Sequence, residues 1–127
     1  MSDVLDAIPY ARFLGVSVDR SSGVLECVLP FRNEIVGNVM LPAIHGGVVG
    51  AFLELTAILR LADESGSTRV PKPINFAIDY LRSAGPKPTR ARADIFKFGR
   101  RVAVVHVVAW QDDPSRPVAS GNGKFLV

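Results

Sequence analysis

Gly46-Gly47-Val48-Val49-Gly50-Ala51-Phe52-Leu53-Glu54-Leu55-Thr56-Ala57-Ile58-Leu59-Arg60-Leu61-Ala62 contains only three polar side chains, Glu54, Thr56 and Arg60. Read as a helix, this stretch is apolar around nearly its whole circumference, and such a helix has to be covered on every side. Its 17 residues, interrupted by a glutamate and an arginine, fit a core helix wrapped by sheet better than a bilayer span.

The flanking sequence supplies the wrapping. Asp3 to Phe13 reads as a short amphipathic helix that Pro9 kinks or splits, ending near Gly15. Val16 to Arg20 and Val24 to Phe31 are strand-like and separated by the turn signal Ser21-Ser22-Gly23, which predicts a hairpin. Arg32 to Ile44, with Asn33, Gly37, Asn38 and Pro42, has neither periodicity and reads as an ordered loop feeding the helix. After a loop containing Asp63-Glu64-Ser65-Gly66, four strand-like segments follow. Ile74, Phe76, Ile78 and Tyr80 alternate with Asn75, Ala77, Asp79 and Leu81. Ala91, Ala93 and Ile95 alternate with Arg90, Arg92 and Asp94. Val102 to Trp110 is almost continuously apolar, as a central strand is, and Val118 to Leu126 closes the sheet with the small residues Ser120, Gly121 and Gly123. The order predicts an α+β hotdog architecture, an antiparallel sheet curled around one long central helix, with residues 1–127 as a single domain.

Composition narrows the function classes. At 127 residues, 48% hydrophobic and 21% charged, the chain suits a folded soluble domain able to bury a core without staples. The single cysteine, Cys27, rules out an intrachain disulfide and leaves no zinc-type ligand cluster, which fits a reducing cytoplasm. Neither a secretory signal nor a spanning segment is visible, so no membrane association is expected. The net charge of +3, with several cations between Arg82 and Arg101, points to an anionic partner. Nucleic acid is not expected, because no helix-turn-helix, zinc finger or aromatic platform accompanies the charge. Serine-hydrolase, Walker A and dinucleotide fingerprints are missing as well, and Cys27 inside a strand reads as inert.

Glu54 stands out. Its helical flanks, Gly50, Ala51, Ala57, Ile58 and Leu61, offer no partner for its charge, so its pKa is expected to be raised. Such carboxylates are candidates for acid-base or nucleophilic work. His45-Gly46-Gly47 opens the same helix, where free N–H groups and the positive dipole end favour an electron-rich group, and two glycines allow close approach. Glu54 lies eight residues beyond Gly46, roughly 12 Å along a helix. One reacting carbonyl cannot touch both within one chain. An antiparallel second copy would set Gly46 of one chain beside Glu54 of the other, which predicts a homodimer with two shared sites.

The run His45-Gly46-Gly47-Val48-Val49-Gly50-Ala51-Phe52-Leu53-Glu54 resembles the HGG-x6-D/E signature of hotdog thioesterases of the phenylacetate-degradation and 4-hydroxybenzoyl-CoA type. Tyr80-Leu81-Arg82-Ser83-Ala84 resembles the YLRPA segment of that family, Gly99-Arg100-Arg101-Val102-Ala103-Val104-Val105 resembles its GRR-x-AVV strand, and Ala119 to Phe125 resembles its closing strand. The resemblance implies an acyl-CoA thioesterase without metal or redox cofactor. In it the residue matching Glu54 is nucleophile or general base, and the N–H matching Gly46 polarises the thioester carbonyl. Ser83 replaces the usual proline. The family's frequent Asn or Gln six positions before the histidine is Val39 here, with Asn38 seven before. The resemblance also implies a dimer of dimers.

His45 is read as hydrogen-bonding the loop and holding the oxyanion glycine, in preference to carrying protons near pH 7. His106, on the face of Val104 and Val108, reads as structural. Asn38, Gly47, Ser83 and Gly99 complete the expected substrate contacts, while Arg82, Arg100 and Arg101 have guanidinium groups suited to the phosphates of CoA. Two other classes share the fold: a non-catalytic acyl-CoA binder, and an enoyl-thioester hydratase using His45 with Glu54.

Overall fold

A computed structural model describes residues 2–127. The N-terminal segment is two helices, α1 (Ser2–Asp6) and α2 (Pro9–Leu14), because Ile8 is extended and Pro9 starts a new helix. Gly15 ends α2 in the left-handed region, at φ 76°, with its N–H on the carbonyls of Ala11 and Arg12.

Six strands form one antiparallel sheet: β1 (Ser17–Asp19), β2 (Glu26–Leu29), β5 (Lys72–Tyr80), β6 (Thr89–Phe98), β7 (Val102–Trp110) and β8 (Ala119–Leu126). Their order is β1-β2-β6-β7-β8-β5, and α3 (Gly46–Ser65) lies across one face. The hotdog expectation holds. Phe52, Leu53, Leu59 and Leu61 of α3 are fully buried against Ala91, Ala103, Val105, Val107, Ala109 and Phe125 of the sheet. The alanines matter here, because short side chains let a bulky helix sit close to the strands. In β7, Ala103, Val105, Val107 and Ala109 face the helix, while Val104, His106 and Val108 are half-buried on the outer face.

The stretch read as a loop from Arg32 to Ile44 is more structured than expected. A 3-10 turn (Asn33–Ile35) leads into a small hairpin of β3 (Val36–Asn38) and β4 (Ala43–Ile44). Strands this short leave no periodic trace. The helix also runs three residues past Ala62, held by an Arg60–Glu64 pair at 2.9 Å and ended by Gly66 at φ 67°. Among the described residues, no helix is long and apolar enough to cross a membrane.

One end of the sheet, β1, is three residues long; the other, β5, is nine residues long and mostly exposed. A long open edge with a free row of backbone groups is a pairing surface unless something covers it.

Candidate active site

The start of α3 is built from its backbone outward. His45 is the N-cap, and its Nδ1 accepts the Gly47 N–H at 2.9 Å. An imidazole accepting there carries its proton on Nε2. The His45 carbonyl takes the N–H groups of Val48 (3.0 Å) and Val49 (3.1 Å), and its own N–H donates to the Ile35 carbonyl at 2.8 Å. These contacts leave one donor in the first turn, the Gly46 N–H, without an acceptor among the described residues. The glycine of β3 makes this arrangement possible, since a Cβ on Gly37 would stand 2.7 Å from His45 Cα.

Tyr80, the last residue of β5, donates its hydroxyl to the Gly46 carbonyl at 2.8 Å. Gly46 and Gly50, one turn apart, make room for it: a Cβ on Gly50 would lie 3.1 Å from that hydroxyl and 2.7 Å from Ile78 Cδ1. Beside Gly46, a cavity of about 360 Å³ is lined by Tyr80, Arg82, Ser83, Val49 and Val118. The Arg82 guanidinium is exposed and donates to the Pro117 carbonyl at 2.7 Å. Asn38 lies at the tip of the β3–β4 hairpin, where its Oδ1 accepts the Met40 N–H at 3.0 Å.

Glu54 is half-buried, two turns further along α3, and has neither a hydrogen bond nor an ion pair among the described residues. Burial pushes its pKa above the ordinary 4.5. Gly47, Ala51 and Glu54 form the less covered stripe of the helix. Within one chain, Glu54 and the Gly46 N–H are separated along the helix by roughly 12 Å and do not converge.

Gly99, Arg100 and Arg101 sit in the β6–β7 turn, and Gly99 donates to the Val102 carbonyl at 2.9 Å. Val102 is in register with Leu126, and Leu126 with Lys72, so this turn lies beside the start of β5, whereas the Gly46 cavity lies at its end. A cavity of about 490 Å³ opens there, lined by Ser65, Ser67, Arg69, Lys72, Phe98 and Arg100 among others. No carboxylate side chain lines it, and none of its three cations is in an ion pair among the described residues. The structure therefore groups His45, Gly46, Gly47, Arg82 and Ser83 at one end of the molecule and Gly99, Arg100 and Arg101 at the other.

A family model described as the acyl-CoA thioesterase N-terminal domain matches residues 37–126. The chain belongs to this family. It is a hotdog-fold thioester hydrolase. The thioesterase is 25% identical to the medium/long-chain acyl-CoA thioesterase YigI of Salmonella typhimurium, covering 94% of this chain and 86% of that protein. A crystal structure from Chromobacterium violaceum is 38% identical, with a TM-score of 0.77 over 99% of this chain and 88% of the other. A Bacillus halodurans protein solved with CoA shares the fold, with a TM-score of 0.82 at 22% identity over 99% and 89% of the two chains.

Two features of the thioesterase escaped the sequence reading. The Tyr80 hydroxyl bond to Gly46 joins residues 34 apart; the traces available were Tyr80 on the inward phase of β5 and a second glycine at Gly50. Arg69 and Lys72 were missed because they precede the alternating part of β5. Cys27 is buried, which pushes its thiol up to about 11, as suits an inert residue. His106 stacks on Phe96, ring centroids 6.0 Å apart, on the outer face.

Proposed function

We propose that this thioesterase hydrolyses acyl-CoA as a homodimer with two shared sites, Glu54 of one copy acting on a carbonyl held by the Gly46 N–H of the other. One observation carries the reading. The helix-start donor and the carboxylate, each without a partner among the described residues, lie on one helix, too far apart to serve one carbonyl, beside an open nine-residue edge strand. Antiparallel pairing of β5 with its copy would cover that edge and turn the two helices antiparallel. It would also bring the Gly46 cavity of one chain toward the Arg69–Lys72–Arg100 cavity of the other, giving CoA phosphates a cationic site at one end of the substrate path. Pairing of two such dimers completes the proposed assembly.

In the general-base route, the Glu54 carboxylate takes a proton from water as the water oxygen attacks the thioester carbon. Negative charge gathers on the former carbonyl oxygen, where the Gly46 N–H donates to it. The tetrahedral centre then expels CoA as thiolate, which accepts the proton, and the free acid remains. In the nucleophilic route, Glu54 attacks first and expels CoA as thiolate, and water then opens the resulting anhydride, restoring the Glu54 carboxylate and giving its proton to the thiolate. Both routes consume one water and yield the same products. The YigI relatives are named for medium and long acyl chains, and the exposed Val39-Met40-Leu41 tip of the hairpin that packs on His45 offers apolar surface to such a chain.

Thiol release from phenylacetyl-, benzoyl-, short-chain and long-chain acyl-CoAs tests the reaction. Wild type is expected to turn over at least one of them, and Glu54→Ala to fall about a hundredfold or more with its fold retained. Tight binding of an acyl-CoA by wild type without any turnover would move the protein to the binder class.

A further inference from the structure

We infer that Tyr80 is the positioning residue for the oxyanion donor, its hydroxyl fixing the Gly46–Gly47 peptide that adjoins the one carrying the Gly46 N–H. The inference rests on the thioesterase mechanism above and adds to it a residue that acts through the glycine peptide. A glycine at the first position of a helix is the residue most prone to fray, having no side chain to restrain φ and ψ and few intrahelical bonds.

Here the peptides on both sides of Gly46 are pinned. The preceding one is held through the His45 carbonyl by the Val48 and Val49 N–H groups at 3.0 and 3.1 Å. The following one is clamped at both ends: its carbonyl, on Gly46, accepts from Tyr80 at 2.8 Å, and its N–H, on Gly47, donates to His45 Nδ1 at 2.9 Å. With both planes fixed, the one N–H of the turn that has no partner among the described residues has a defined direction. Gly50 fits the same account, because a Cβ there would stand 3.1 Å from the Tyr80 hydroxyl and displace it. The clamp also separates the roles of the two glycines: the Gly47 N–H is occupied, and the Gly46 N–H is the one left to meet developing charge. Since an oxyanion donor acts through its orientation in the transition state more than through ground-state binding, its loss of order falls on kcat.

Tyr80→Phe removes the hydroxyl while keeping the ring in the glycine notch. Its kcat is expected to fall about tenfold with KM within about twofold of wild type and an unchanged Tm, a split that a purely structural tyrosine would not produce. Amide exchange followed by NMR gives a readout independent of turnover. The Gly47 N–H is expected to exchange faster in Tyr80→Phe, while Val105 in β7 stays as in wild type. A Tyr80→Phe enzyme with kcat within about twofold of wild type, or with unchanged exchange at Gly47, overturns the positioning role. Failure of wild type to release thiol from any acyl-CoA, with the exchange difference present, overturns the hydrolytic reading and leaves the clamp as architecture only.

Discussion

Glu54 is where the chemistry and the stability of this chain conflict. Partial burial, with no partner among the described residues, raises its pKa above 4.5, which makes the carboxylate a better base. The acid limb of kcat/KM is therefore expected above pH 4.5, and a limb at or below the ordinary carboxylate value would contradict this. Folding feels the same shift with opposite sign. A raised folded pKa means that the native state holds the proton more tightly than the unfolded chain, so stability is full below 4.5 and is lost as pH rises through the folded value. Glu54→Gln is thus expected to melt higher than wild type near pH 8 and together with it near pH 4, while losing turnover; thermal melts at the two pH values check this. The solitary glutamate was readable in the sequence because its helical neighbours are all apolar. The Tyr80 contact was not, since a hydroxyl-to-carbonyl bond across 34 residues leaves no local pattern.

At the scale of elements, close approach of backbones decides where the site forms. Gly37 of β3 lets the hairpin run against the N-cap of α3, and an added methyl would meet His45 Cα at 2.7 Å and its ring at 3.1 Å. Neither contact is the far end of a flexible chain, so the hairpin or His45 has to shift. Gly37→Ala is expected to cost roughly 1–3 kcal/mol of stability and to lower kcat through a displaced His45. Gly85→Ala, whose methyl would meet nothing nearer than 3.8 Å, is the control expected to leave both unchanged. Denaturant melts and steady-state rates on the two variants separate the cases. The long elements were legible because their periods repeat: α3 from its apolar circumference, and β5 to β8 from alternation or continuous apolarity. The β3–β4 hairpin was not, having strands of three and two residues and a contact with His45 that only the tertiary fold supplies. Similarly, Asp63–Ser65 read as loop from their polarity but continue α3 on its solvent side through the Arg60–Glu64 pair.

For the whole molecule, the feature that asks for a partner is the contrast between its two sheet edges. The β1 edge is short, whereas β5 leaves Ile74 and Tyr80 more than half exposed. Pairing through β5 would explain why residues resembling one family site divide here between opposite ends of a single chain. That division could be inferred in part from sequence, since the helix rise alone separates Gly46 from Glu54; the strand order that puts β5 at the edge could not, because alternation does not say which strands neighbour. Subunit complementation tests the shared site most directly. Gly46→Pro removes the oxyanion donor at a helix position that tolerates proline, and Glu54→Gln removes the carboxylate, so each homodimer is expected to be inactive. Refolded together in equal amounts, half the dimers carry one chain of each kind and one intact site of two, and about a quarter of wild-type thiol release is expected to return. A mixture as inactive as its parents, with mixed dimers demonstrated by mass spectrometry, would contradict the shared site.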